Sequence, residues 1–312
     1  MDIKYKDKLK TITKNVGDIT SNVNKKALDL SSKTKQTLEN SQDLVVKALD
    51  ENKDGKVDIE DIIILGLRLP GVKINREEFL RKELFKKFPN DVIEDAIKFN
   101  PKHANIPIEE INFLADEVIK YERNCVSGIS AALSMPGGIS MVATLPADIV
   151  QYYGYMLRAT QKLMYLYGFP EIDVTENKHG FDSETINILI LSLGVMYGAA
   201  GANNALKSIA KALATGVEKK QMKKALTKGT IYPIVKSVSS WFGKKMTKDV
   251  FAGFFKKSIP VIDGIVGGGI TFFSFKPCCD NLKKSLQNTM LSNPDYIPST
   301  EDKDIDEIGI GE

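Results

Sequence analysis

Histidine, tryptophan and cysteine are scarce in this chain, and each scarcity removes a class of chemistry. Two histidines and one tryptophan occur in 312 residues. His103 lies in the turn-forming run 101–107 and His179 in ENKHGF, so both read as solvated loop residues. No histidine, serine or cysteine stands where nucleophile–base logic would need it, which leaves covalent catalysis without its usual parts. The three cysteines, Cys125 alone and Cys278 beside Cys279, are odd in number and have no C-x-x-C spacing. A disulfide scaffold and a zinc site are thereby excluded.

Long apolar runs are missing too. The basic start MDIKYKDKLKTITKNVGDIT never passes into the apolar core that a signal peptide needs, which sets a cytoplasmic location as the expectation. Segments 124–147 and 185–206 carry no charge over lengths that could span a bilayer, but Ser, Asn, Pro and Gly dilute both. The glycine run at 267–269 matches neither phosphate-binding pattern and suits close packing instead.

What is present describes a helical protein. An apolar content of 43% over this length is enough to bury a core. Leu9, Ile12, Val16, Ile19, Val23, Lys26 and Leu30 keep a three-four spacing, which predicts a basic amphipathic arm over 1–49. Its apolar seam needs a partner: its own domain, a second copy, or a membrane surface. Short helical segments follow over 69–107, with Asn75 and Glu78 as a capping-box-like start for a helix over 76–87 and another over 91–99. A glycine-rich core spans 108–291 and an acidic, disordered tail spans 292–312. The fold class expected is all-α, a multi-helix bundle.

The sharpest local motif begins at Asp50. Asp50, Asn52, Asp54, the carbonyl of Lys56, Asp58 and Asp61 occupy the ligand positions of an EF-hand loop, with Gly55 at the turn. These hard oxygen donors predict a Ca2+ site over 50–68, loop and exit helix together. Asp61 replaces the usual Glu at the twelfth position, and its shorter reach predicts modest affinity. Asp-ended loops of this kind look like those of dockerin-type and other bacterial EF-hand relatives.

The stretch from Cys125 to Pro170 organises the chain. Asp148 opens a helix whose polar residues Asp148, Gln151, Tyr155, Arg158 and Lys162 stay in one register, while Tyr153, Met156, Leu157, Leu163 and Leu166 must be packed away. Pro136-Gly137-Gly138 breaks the preceding apolar segment and suits a helical hairpin. The segment from Phe181 to Ala214 opens with Asp182-Ser183-Glu184 as an N-cap region, and its Gly194, Gly198 and Gly201 predict close approach of helix backbones. Asp263 needs a cationic partner if buried, with Arg158 or a lysine as the candidate.

Charge is concentrated late. Between Lys207 and Lys257 there are thirteen lysines and no arginine, against Glu218 and Asp249. Trp241, Phe242, Phe251, Phe254 and Phe255 interleave with Lys244, Lys245, Lys248, Lys256 and Lys257, a composition that suits an anionic membrane surface. The alternative is a solvated lysine face over buried rings. Absence of arginine weighs against nucleic acid.

Leu145-Pro-Ala-Asp148 leading into a helix with Gln151 and Arg158, Tyr167-Gly168, and Ile259-Pro260 with Gly264 and Gly267 to Gly269 resemble the EcsC family of bacterial proteins. The resemblance covers 108–291. It implies a predominantly helical cytoplasmic protein, accessory to an ABC exporter, without an assigned activity. Three functional readings follow: a non-enzymatic module peripheral to the membrane, modulated by calcium; an enzyme using the Asp148–Arg158 stripe; and an integral membrane protein.

Overall fold

The computed structural model describes residues 50–51, 53–54, 58–133, 141–178, 180–245 and 268–297. The arm over 1–49, the Pro136-Gly137-Gly138 break, Asp263 and the tail beyond 297 lie outside the described residues. Among the described residues there are ten helices and no strand, so the chain is an all-α multi-helix bundle. They are α1 (Ile59–Arg68), α2 (Arg76–Leu84), α3 (Asn90–Lys98), α4 (Ile108–Leu133), α5 (Met141–Leu166), α6 (Ser183–Tyr197), α7 (Ala202–Ala214), α8 (Lys219–Thr227), α9 (Tyr232–Lys245) and α10 (Gly268–Gln287). α5 packs against α1, α2, α4, α6 and α10, and α6 carries α7, α8 and α9 on its other sides.

Helix ends follow side-chain chemistry. Asp58 caps α1 by accepting from the Glu60 amide, and Asp61 returns the bond to the Asp58 amide at 2.8 Å, a reciprocal capping box. Pro70 stops α1 by forcing Leu69 into extended backbone. Asn75 accepts from the Glu78 amide at 2.8 Å and starts α2 where expected, although that helix ends at Leu84. The buried Arg76 guanidinium then donates to the carbonyls of Ala96, Ile97, Phe99 and Phe169, closing the C-terminus of α3 with a cation.

α4 and α5 run antiparallel. Tyr167 Oη donates to Asn112 Oδ1 at 2.7 Å, and Arg158 meets Glu122, so positions fall on one helix as they rise on the other. α5 begins at Met141, seven residues before Asp148, and its described part is buried nearly all round. Tyr153, Met156, Leu157, Leu163 and Leu166 are core residues, each contributing about 1.5–3 kcal/mol by burial. α1 crosses α5 where a Cβ on Gly66 would stand 3.6 Å from the Gly154 Cα.

The segment 181–214 is two helices, not one. Asp182 caps α6 as expected, but Gly198 (φ 72°) ends it and Gly201 (φ 80°) opens α7, left-handed conformations that glycine adopts without a Cβ clash. Gly194 serves close packing, since a Cβ there would stand 2.7 Å from Val238 Cγ1 and 2.9 Å from Ala202 Cβ, and Gly201 also approaches closely, with a Cβ 3.2 Å from Ile234 Cγ2. α10 begins earlier than Lys276 and accommodates Pro277 within it. Residues 289–295 form a hydrogen-bonded turn that follows α10.

No helix among the described residues is long and apolar enough to cross a membrane. Gly194→Ala should destabilise the protein by about 1–3 kcal/mol, because Val238 is β-branched and cannot move aside cheaply. Urea denaturation measures it; an unchanged midpoint would contradict the close α6–α9 contact.

Candidate functional site

The polar stripe on α5 finds its counterpart on α4. Glu122 is 0% exposed and takes both cations: Arg158 Nε reaches Oε2 at 2.9 Å and Nη2 reaches Oε1 at 3.1 Å, while Lys162 Nζ donates to Oε1 at 2.5 Å. Arg158 Nη1 donates to the Gly71 carbonyl. Aromatic rings enclose the cations. Lys162 lies 5.6 Å from the Phe79 centroid and 5.5 Å from that of Tyr121, and Arg158 lies 5.6 Å from that of Tyr155.

Burial alone would raise the Glu122 carboxyl pKa. The charges of Lys162 and Arg158 and their hydrogen bonds outweigh burial and hold it below its ordinary value. Burial lowers the pKa of Arg158, but Glu122 more than restores it, so the guanidinium stays charged. Burial raises the Tyr155 phenol and the Cys125 thiol, the latter raised further by the Glu122 charge, so both stay protonated at neutral pH. Neither is a ready base or nucleophile.

Of the predicted stripe, Tyr155, Arg158 and Lys162 join this cluster. Gln151 is buried farther along α5, and among the described residues neither atom of its amide finds a hydrogen-bond partner. Asp148 falls in the part of α5 whose side chains lie outside the described residues. Among the described residues the carboxylate partner of Arg158 is Glu122. Sequence reasoning missed Glu122, although Val118, Glu122 and Val126 stand four apart on the apolar face of α4 and marked it as an inward-facing charge.

Beside the cluster opens a cleft of ≈ 220 Å³ between α2, α4, α5 and the segment Gly71–Asn75. Gln161 holds that segment: its Nε2 donates to the Val72 carbonyl at 2.9 Å and its Oε1 accepts from the Ile74 amide at 3.1 Å. Tyr165 Oη completes the attachment by donating to the Ile74 carbonyl and accepting from the Ile172 amide.

The described part of the EF-hand-like loop is ordered by its carboxylates. Asp50 Oδ1 accepts from the Asp54 amide at 3.1 Å, and Asp61, fully buried, accepts from the Glu51 and Asp58 amides. Burial raises the Asp58 pKa, and repulsion from Asp61 and Asp54 adds to it. A divalent cation would relieve that repulsion, so the donor set fits one electrostatically. Its spacing is that of a capped helix start, however: among the described residues no group of three or more His, Cys, Asp or Glu side chains is placed to hold a metal ion. Asn52 and Lys56 lie outside the described residues.

The basic region divides. Lys219, Lys220, Lys223, Lys224 and Lys228 are exposed on the outer side of α8 and just past it, over buried Met222, Ala225 and Leu226. Lys223 pairs with Asp182 at 2.7 Å. Phe242, expected on the surface, is 1% exposed, because its ring packs edge-on against Tyr197 at 5.6 Å in the core. Trp241 is half-buried against it. The side chains of Lys244 and Lys245, together with Lys248, Phe251, Phe254, Phe255, Lys256 and Lys257, lie outside the described residues. His103 is exposed, as read, and its ring lies tilted beside Phe99 with centroids 4.2 Å apart.

No family model, curated protein or solved structure matches the chain. The geometry alone thus carries the functional argument.

Glu122→Gln should cost about 3–5 kcal/mol at neutral pH, because it leaves two cations buried against a neutral amide. The depressed carboxyl contributes its full stability above the ordinary value of 4.5 and loses it as pH falls through the lower folded-state value. The difference between wild-type and variant stability, from urea melts at several pH values, should therefore shrink only on the acid side. A constant difference would contradict the ion-pair account.

Proposed function

We propose that the chain is a non-enzymatic, peripheral membrane-associated module that docks on anionic lipid through the basic side of α8 and α9. The observation that carries this reading is the run of exposed lysines at 219, 220, 223, 224 and 228, with Lys236 on α9. Among the described residues, Lys219, Lys220, Lys224 and Lys228 make no ion pair with a carboxylate. Each lysine near an anionic leaflet contributes about 1 kcal/mol, so four or five suffice for reversible docking. With Phe242 in the core, the attraction is electrostatic and screened by salt. The burial of the α5 stripe against Glu122 supports a structural role for it over acid–base work.

The resemblance to EcsC proteins supports a cytoplasmic setting beside an ABC exporter. Ca2+ belongs to the same reading: Asp50, Asn52, Asp54, the Lys56 carbonyl, Asp58 and Asp61 would hold it. The ion would neutralise the carboxylates and stabilise the entry to α1.

Flotation with phosphatidylglycerol vesicles should carry the protein upward, and phosphatidylcholine vesicles should not. Reversing Lys219, Lys220, Lys224 and Lys228 to Glu should abolish flotation while leaving the circular dichroism melt intact. Equal behaviour on both lipids, or flotation indifferent to the reversal, sinks the proposal. Calcium at a hundredfold excess over its dissociation constant should stabilise the protein by about 2.7 kcal/mol. A melting temperature identical in calcium and chelator removes the metal from the account.

A further inference from the structure

The cleft beside Glu122 carries an inference independent of the lipid reading. Two cations, Arg158 and Lys162, line its inner wall with side chains only 17% and 11% exposed, and behind them stands one buried carboxylate, Glu122. Among the described residues, one positive charge is left without a counter-ion in surroundings that screen poorly. At the mouth, Lys73 and Lys82 are matched in number by Glu78 and Glu83, and Glu83 also lies 3.8 Å from Lys86. The mouth therefore does not cancel the excess inside.

The donors that remain have a defined shape. Arg158 has five N–H groups. Two go to Glu122 through Nε and Nη2, and one goes from Nη1 to Gly71. One N–H on each terminal nitrogen is left, the pair that grips two oxygens of a single planar anion end-on. Ile74, Phe79, Tyr121 and Tyr155 supply apolar and aromatic walls around that point. The cleft, ≈ 220 Å³ in volume, has room for a small ligand.

We infer that this cleft is a binding site for a small carboxylic acid with an aromatic or apolar body, its carboxylate on Arg158 and Lys162 and its body against Phe79 and Tyr121. One carboxylate balances the one unmatched charge, whereas a phosphate ester would bring more negative charge past Glu78 and Glu83.

Isothermal titration of the full chain with benzoate, benzamide, acetate and phenyl phosphate tests this. Benzoate should bind one per chain, at least tenfold tighter than the neutral isostere benzamide and than acetate, which lacks the ring. Lys73→Glu with Lys82→Glu, both at exposed positions, should weaken benzoate at least tenfold with an unchanged melting temperature. Arg158→Lys, which keeps the charge but loses the paired donors, should weaken it further if it folds; the rim variant decides the matter if it does not. The inference is overturned if benzoate fails to bind, if benzamide or acetate binds equally well, if phenyl phosphate binds more tightly, or if the rim variant binds benzoate unchanged. Reversal of the α8 lysines should leave benzoate binding intact, so this inference and the lipid reading fail separately.

Discussion

A single buried carboxylate holding two cations is the constraint around which this bundle is arranged. Glu122 reaches Arg158 and Lys162, one turn apart on the facing helix, and so fixes the register of α4 against α5. Moving three charges out of water costs several kcal/mol per ion, and their attraction offsets this only while all three partners stay in place. The arrangement adds little to net stability compared with an apolar core of the same shape. It disfavours slipped packings strongly, because any slip would strand a charge.

From that contact the neighbouring geometry follows. Arg158 also binds the Gly71 carbonyl, and Gln161 and Tyr165, on the next turns of α5, bind the backbone at 72 and 74. The segment leading into α2 is therefore held to α5 by hydrogen bonds at successive turns. α2 then delivers Phe79 to Lys162 and Arg76 to the end of α3. The cleft is what remains between elements held by polar contacts rather than by interdigitated side chains. It lies far in sequence from the lysines of α8, and the two surfaces have separate chemistry: one is a cleft with aromatic walls and buried cations, the other an exposed row of lysines.

Much of this was legible in the sequence, and the failures have physical reasons. Three-four spacing identified the long helices, and Asn75 and Asp182 marked helix starts because a short acceptor side chain can satisfy an orphan amide only there. Tyr155, Arg158 and Lys162 of the α5 stripe do share one side of the helix. Its partner was not, since pairing across thirty-six residues leaves no local trace beyond a charge in an apolar register. Gly198 and Gly201 were assigned to packing because a glycine needed for positive φ and one needed for close approach look alike in a string of letters. Phe242 went to the surface for a similar reason: lysines flanking a ring fit both a lipid-facing patch and a solvated shell over a core residue. At the EF-hand-like loop, Asp58 and Asp61 fit a ligand pattern and a capping box simultaneously, and the capping box is what the hydrogen bonds realise.

The account depends on Glu122 being ionised while fully enclosed. A side-chain ¹³C NMR titration, with the Glu122 carboxyl assigned by comparison with the Glu122→Gln protein, tests this most directly. The account predicts a midpoint clearly below the ordinary glutamate value of 4.5. A midpoint at or above that value would mean that burial prevails over the two cations, and the charge excess assigned to the cleft would be wrong.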